Sequence, residues 1–332
     1  MALEFKPLRF ETPNDQVLKD ICELFLEEWK GFSPEALYAK YADNPQAPKA
    51  MPHFIGVYLD GKLAGANGYI ATSFDRGGER YLGVQDCDSY VGKAYRGQGI
   101  FGKLIRECER LFADLGADFL FGYPNENSFG SYQRLGWTIG RSIDYQGKAY
   151  AGPLGAALLA LDKAVLRRAE RQGHAARELS PAELGAEAGD MRQLAGGLVG
   201  QFVDGPYLAW RLRAERADYK AAIVRKGPQS SWAAWRQDEG SVKIMALGGE
   251  PEGMALALRC ACASLKGRGR VQACSPLSAP ALSAYKAAGF MGPALMRLVK
   301  KRTMRVVYKA LSARTPDVGS LLDVQYADFD TV

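Results

Sequence analysis

Histidine is almost missing from this chain: only His53 and His174 occur in 332 residues, in unrelated contexts. That scarcity argues against a histidine-based metal site and against a Ser-His or Cys-His triad. Long apolar runs are also missing. GPLGAALLAL, at 152–161, falls short of the ~20 apolar residues that a membrane span needs, and Asp162 and Lys163 interrupt it. The opening MALEFKPLRF has no apolar core of signal-peptide length. No low-complexity tract occurs. The basic clusters at 163–171, 266–270 and 300–305 lack the interleaved aromatics of a nucleic-acid groove. Together these absences lead us to expect a cytoplasmic protein without membrane span, metal or nucleic-acid partner. Six cysteines are present without a secretion signal, so reduced thiols are expected. Cys260 and Cys262 lie two apart on an expected helix and point to different sides, a poor metal clamp.

What is present is the composition of a globular protein, 47% hydrophobic and 24% charged with a formal charge of +6, and enough length for two domains. Residues 1–148 alternate between strand and helix patterns. A helix is expected over 14–30, capped by Asn14, with Val17, Ile21, Leu24, Phe25 and Trp29 on one face. A second begins at Ser33-Pro34. Asp60-Gly61 reads as a hairpin turn, 81–91 as a further strand, and 137–148 as a last strand. Residues 149–175 read as a linker helix ended by Gly173, with Leu158, Leu161 and Val165 packing between domains. The stretch 176–312 keeps the order of the first part: AYKAAGF at 284–290 echoes SYQRLGW at 131–137. The remaining 313–332 read as a tail laid over the surface.

AYRGQGIFGKLI, at 94–105, starts a helix with three glycines. A helix N-terminus carries unpaired amides and partial positive charge, and glycines let an anion approach them closely. Arg96, Gly97, Gln98, Gly99, Ile100, Phe101 and Gly102 thus form a candidate pyrophosphate seat. A Walker loop is excluded because Leu104 follows Gly102-Lys103. Gly97, Gly99 and Gly102 match a dinucleotide fingerprint, but no βαβ unit with a ribose-binding acid accompanies them.

On these residues the segment resembles the GNAT acyltransferase superfamily, whose acyl-CoA signature is Arg/Gln-x-x-Gly-x-Gly/Ala. Phe101 departs from that pattern at its sixth position, with Gly102 one place later. The later signature, Asn-x-x-Ala/Ser-x-x-x-Tyr-x-x-x-Gly-Phe/Trp, is matched by Asn125, Ser128, Tyr132, Gly136 and Trp137. The second half resembles the same family through Ala281, Tyr285, Gly289 and Phe290, with Ser278 in place of Asn. Its counterpart of the glycine loop, GGEPEGMAL, carries Glu250 and Glu252, which would repel phosphates.

The resemblance implies an α/β (α+β) chain of two GNAT-like domains, each a mixed, mostly antiparallel sheet flanked by helices, the second without CoA binding. It implies acetyl-CoA or a related acyl-CoA as co-substrate, a small-molecule primary amine as acceptor, and a monomeric internal pseudo-dimer or a homodimer. Ser89 and Val91 would bind pantetheine along the strand, with the Val91 amide on the thioester carbonyl. Asn125 and Ser128 would hold the pantetheine arm or shape the turn. Tyr132 would be the general acid toward the thiolate. Asp86 and Asp88, two apart on a strand and so on one face, are the candidate bases. An amino sugar of surface polysaccharide is the preferred acceptor. A non-catalytic acyl-CoA sensor and a Fem-type aminoacyl transferase using charged tRNA are the other readings.

Overall fold

The computed structural model describes residues 3–187, 197–265, 269–299 and 304–328. Two basic clusters named above fall partly outside these, at 266–268 and 300–303, as does the end of the tail, 329–332. In chain order the elements are β1 (Leu3–Leu8), α1 (Gln16–Leu26), α2 (Pro34–Tyr41), β2 (Phe54–Leu59), β3 (Lys62–Arg76), β4 (Glu79–Val91), α3 (Ile100–Asp114), β5 (Phe119–Gly122), α4 (Glu126–Arg134) and β6 (Thr138–Ile143). Then follow β7 (Tyr145–Tyr150), α5 (Gly152–Arg171), β8 (Ala175–Leu179), α6 (Pro181–Glu187), β9 (Val199–Gln201), α7 (Gly205–Arg211), β10 (Tyr219–Lys226), β11 (Gln229–Asp238) and β12 (Ser241–Gly248). The chain ends with α8 (Pro251–Ala263), β13 (Gly269–Cys274), α9 (Ala279–Ala287), α10 (Pro293–Val299), β14 (Met304–Ala310), α11 (Val318–Leu321) and β15 (Leu322–Asp323).

Two compact units result. The first comprises residues 3–75, 79–141 and 305–320; the second comprises 76–78, the described part of 142–304, and 321–328. Each is a mixed sheet with helices, the expected fold class.

In the first unit the strands lie in the order β1-β2-β3-β4-β5-β14-β6. β1, β2 and β3 pair antiparallel, while β4 and β5 are parallel from Gly83↔Phe119 to Asp86↔Gly122. Asp60 and Gly61 take positive φ in the expected hairpin turn. One face packs on α3 through Leu104, Ile105, Cys108 and Phe112, all fully buried; Ile55, Val57 and Leu120 belong to the same cluster. The other carries an aromatic group with Phe25, Trp29, Tyr41, Phe54 and Tyr90. The first helix starts later than expected. Asp15, not Asn14, is its N-cap, and the Asp15 carboxylate accepts from the amides of Glu11 (2.6 Å) and Thr12 (3.2 Å) rather than from the helix. Ser33 caps α2 as expected, its hydroxyl accepting from the Ala36 amide at 3.2 Å.

The second unit repeats this plan with the order β7-β13-β12-β11-β10-β8. β12 and β13 are its parallel pair, from Ser241↔Arg270 to Lys243↔Gln272. The repeated sequence becomes a repeated helix stop. After α4, Gly136 has φ +76 and the Trp137 amide bonds Tyr132 O at 3.1 Å; after α9, Gly289 has φ +80 and the Phe290 amide bonds Tyr285 O at 3.0 Å. Glycine takes this left-handed turn without a Cβ penalty.

Several boundaries differ from the sequence reading. The single strand expected over 137–148 is two strands, broken at Asp144, that enter different sheets: β6 closes the first, and β7 pairs with β13 in the second. In return β14, from the far end of the chain, pairs with β5 in the first sheet. Boundaries at 148 and 312 therefore cut across the units, because local pattern marks a strand but not its partner. The expected linker helix is α5, and it belongs to the second unit. Leu158, Leu159, Val165 and Leu166 pack on that core, while Leu161 points outward at 54% exposure. Its buried Asp162 holds Lys148 Nζ at 2.8 Å and the Tyr150 hydroxyl at 2.6 Å, with Arg259 as a further partner. The tail is not superficial either: Leu322, Asp323, Val324, Gln325, Tyr326 and Ala327 are all buried.

Candidate functional site

β5 ends at Gly122, opposite Asp86, while β4 runs on to Val91. The two strands thus pair up to a fork and then part. Successive amides of a strand point to opposite sides. The Gly92 amide bonds back to Ala64 O of β3 at 2.9 Å, so the Val91 N–H and C=O face the open side of the fork. Ser89 lies on the same stretch, and its hydroxyl oxygen is buried without a hydrogen-bond partner among the described residues. A buried orphan beside a strand edge that β5 no longer pairs fits an amide-bearing arm lying along it.

Beyond β4 a single 3₁₀ turn (Lys93–Tyr95) leads to the glycine loop. Gly97 and Gly99 have φ +80 and +69, the left-handed region, and a Cβ built on either would meet nothing within 4 Å. The loop is therefore conformationally dependent on glycine and open on its outer side. Gly99 caps α3 and accepts from the Lys103 amide, leaving the Ile100, Phe101 and Gly102 amides without acceptors inside the helix. Phe101 packs edge-on against Tyr132, ring centroids 5.7 Å apart.

Arg96 points elsewhere. Its Nε donates to Val91 O at 3.2 Å, an Nη bonds Glu28 at 3.3 Å, and the guanidinium lies over the Tyr90 ring. It braces the entry to the loop, and its charge is shared with Glu28.

Asp86 and Asp88 do not share a face. Asp88 has φ +22, which breaks the pleat between them. Asp86, on the α3 side, is buried and accepts from the Tyr132 hydroxyl at 2.8 Å. Burial pushes its carboxyl up to about 7, against hydrogen bonds from Tyr132 and Asn67 that pull it down. Burial, and then the Asp86 charge, hold the Tyr132 phenol well above its ordinary value. Asp88, on the α2 side, is engaged by Lys40 and by the Tyr41 hydroxyl at 2.7 Å. Tyr41 lies against Gly68, where a Cβ would stand 2.3 Å from its hydroxyl, so glycine makes room for this contact.

Asn125 is the N-cap of α4. Its side-chain oxygen accepts from the Asn127 amide (2.9 Å) and from the Ser128 amide (3.1 Å), with the Ser128 hydroxyl at 3.3 Å. Both residues thereby fix the helix that carries Tyr132.

Sequence reasoning missed the inner half of this network. The Asn67 amide donates to Tyr69, whose hydroxyl contacts Cys108 Sγ, all within the core beside Asp86. The available signal was Asn67 itself, a lone amide in the apolar strand KLAGANGYIA. Also missed was a cavity of about 220 Å³ in the same unit, lined in part by Arg9, Phe10, Tyr38, Tyr41, Asp43 and His53. Burial, then Arg9, push the His53 imidazole down to about 4.

All six cysteines are buried and none is in a disulfide. Among the described residues no cluster of His, Cys, Asp and Glu has the makeup of a metal site, and no helix is long and apolar enough to cross a membrane.

Comparison with curated proteins finds no match. Among solved structures, a GCN5-related N-acetyltransferase from Kribbella flavida aligns over 96% of this chain and 74% of its own, with 16% identity and a TM-score of 0.62. A probable N-acyltransferase from Enterococcus faecalis V583 aligns over 95% and 74%, with 12% identity and a TM-score of 0.62. The N-myristoyltransferase of Saccharomyces cerevisiae, with bound myristoyl-CoA, aligns over 95% and 80%, with 11% identity and a TM-score of 0.56. Likeness at these identities establishes the fold. The sequence of the first unit goes further, matching the acetyltransferase (GNAT) family model over residues 18–137. Those residues, which hold the forked strands, the glycine loop and the Asp86–Tyr132 pair, form a domain of the acetyltransferase (GNAT) family.

Proposed function

We propose that the first unit transfers an acetyl or related acyl group from acyl-CoA to a primary amine. The observation that carries this reading is the buried Asp86–Tyr132 pair at the fork of β4 and β5, directly below the strand that leads to the glycine loop. When bound, acyl-CoA supplies the thioester-linked acyl group. The amides of Ile100, Phe101 and Gly102 would take its pyrophosphate, and Gly97 and Gly99 admit it closely. Ser89 and the Val91 edge would hold the pantetheine arm, with the Val91 N–H directed at the acyl carbonyl. Arg96 and Asn125 support this site by bracing the loop and capping α4.

Acyl transfer removes one proton from the attacking amine and delivers one to the departing sulfur. Near pH 7 Asp86 sits at its own midpoint, so it both accepts and returns a proton. Asp86 would take the proton that leaves the amine and, its hydrogen bond to Tyr132 then reversed, pass a proton to the phenolic oxygen as Tyr132 gives its own proton to sulfur. Asp88, the other candidate base, is held by the Lys40 ammonium and the Tyr41 hydroxyl, whereas Asp86 is paired with Tyr132, which makes Asp86 the better candidate.

For the acceptor we favour a compact polar amine such as an amino sugar. Supporting this is the 220 Å³ cavity, where the rings of Phe10, Tyr38, Tyr41 and His53 face charged Arg9 and Asp43. The test is release of CoA from acetyl-CoA across a panel of amino sugars, amino acids and polyamines. Turnover with a member of the panel, lowered far more in kcat than in acetyl-CoA affinity by Tyr132→Phe, is the expected result. Bound acetyl-CoA with no acceleration by any amine would favour the sensor reading instead.

A further inference from the structure

The second unit has its own fork. β12 and β13 pair only from Ser241↔Arg270 to Lys243↔Gln272, and β12 then continues to Gly248. In the first unit β5 leaves the matching edge of β4, where Val91 O accepts from Arg96 Nε at 3.2 Å and the Val91 N–H faces the fork. In the second, the chain itself fills it. The Gln325 side chain bonds the backbone of β12 from both ends of its amide: Oε1 accepts from the Leu247 N–H at 2.8 Å, and Nε2 donates to Leu247 O at 3.3 Å. Two residues earlier, the Asp323 carboxylate accepts from the Leu277 amide at 2.6 Å, on the loop between β13 and α9. The Arg211 guanidinium donates to Ala327 O at 2.6 Å and closes the far end. A side-chain amide that both donates to and accepts from one strand residue has the hydrogen-bonding pattern of a secondary amide lying along a strand edge.

The rest of the cleft suits phosphate less well than the loop of the first unit. Pro251 opens α8 and has no N–H to offer, and the Glu250 amide is already taken by the Ser231 hydroxyl at 2.9 Å. What remains is a cavity of about 150 Å³, walled partly by Glu250, Asp323 and Gln325.

We propose that residues 322–327 are an internal peptide ligand, held in the vestigial acyl-CoA cleft of the second unit in the place that the pantetheine arm takes in the first. The inference rests on the acyl-CoA reading of the first unit for the name of the cleft, but not for the contact itself. As a ligand would, the segment stabilises the unit that binds it and keeps that unit from taking up a second acyl-CoA.

Hydrogen exchange on the full chain tests the contact. In Gln325→Ala the Leu247 amide should exchange faster by about an order of magnitude, while amides of β3 and β4 stay unchanged. Equal exchange at Leu247 in the variant and the parent overturns the proposal. A chain stopped after Ser320 should melt at lower temperature and regain stability on adding a synthetic peptide of residues 321–332. A peptide carrying Asp323→Ala and Gln325→Ala should not rescue it, and equal rescue by both peptides also overturns the proposal. If the shortened chain does not fold, exchange at Leu247 decides alone. Titration of the full chain with acetyl-CoA separates the two readings. Two bound equivalents refute the internal ligand, whereas no binding refutes the acyl-CoA reading and leaves the exchange result standing.

Discussion

Replacing Asp86 by Asn should change how stability depends on pH, and by a calculable amount. Burial raises the Asp86 carboxyl from 3.8 to about 7 in the folded state. Between those values the folded chain keeps a proton that the unfolded chain releases, so this group stabilises the fold at low pH. The contribution is lost as pH rises through about 7. From pH 5 up to the folded midpoint is two pH units, and at 1.36 kcal/mol per unit the loss is roughly 2.7 kcal/mol. Asn has no such proton, yet its side-chain oxygen still accepts from Tyr132. Urea unfolding of parent and Asp86→Asn at pH 5 and pH 8 measures the effect. The parent should lose roughly 2–3 kcal/mol more than the variant between the two conditions. An identical pH dependence in both proteins would show that Asp86 ionises as in the unfolded chain, and the shared-proton account would fail with it.

Other changes follow from single contacts. Gly99→Asp puts a carboxylate at the anion seat and a side chain at φ +69; it should abolish acetyl-CoA binding in calorimetry for a fold cost of about 1 kcal/mol. Asp118 accepts from Arg314, Ser312 and the Leu82 amide, tying the segment after β14 to the first unit; Asp118→Ala should destabilise by about 3 kcal/mol in urea unfolding. Lys148→Met leaves the fully buried Asp162 carboxylate with Tyr150 and Arg259 only, and should cost about 3 kcal/mol by the same measurement.

The loop and the two helix stops were legible because their chemistry is local. Glycine at positive φ and the Tyr-to-Gly-to-aromatic spacing of α4 and α9 need no knowledge of partners. The Ser33 cap and the Asp60-Gly61 turn were legible for the same reason. Pairing was not. Nothing in YQGKAY says that its partner is β13, more than a hundred residues on, and nothing in MRVVYKA says that it returns to β5. The two aspartates misled because a period of two assumes an unbroken pleat, and Asp88 breaks it. Arg96 and Asn125 sit where motif spacing puts them, yet their side chains go to Glu28 and to the α4 amides. Backbone geometry was readable from residue type, whereas side-chain partners depend on long-range packing.

Calorimetric titration of the full chain with acetyl-CoA tests the central claim most directly. One equivalent should bind to the parent and none to folded Gly99→Asp. Absence of binding to the parent, or equal binding by both proteins, would contradict the assignment of the glycine loop and the fork below it as the acyl-CoA site.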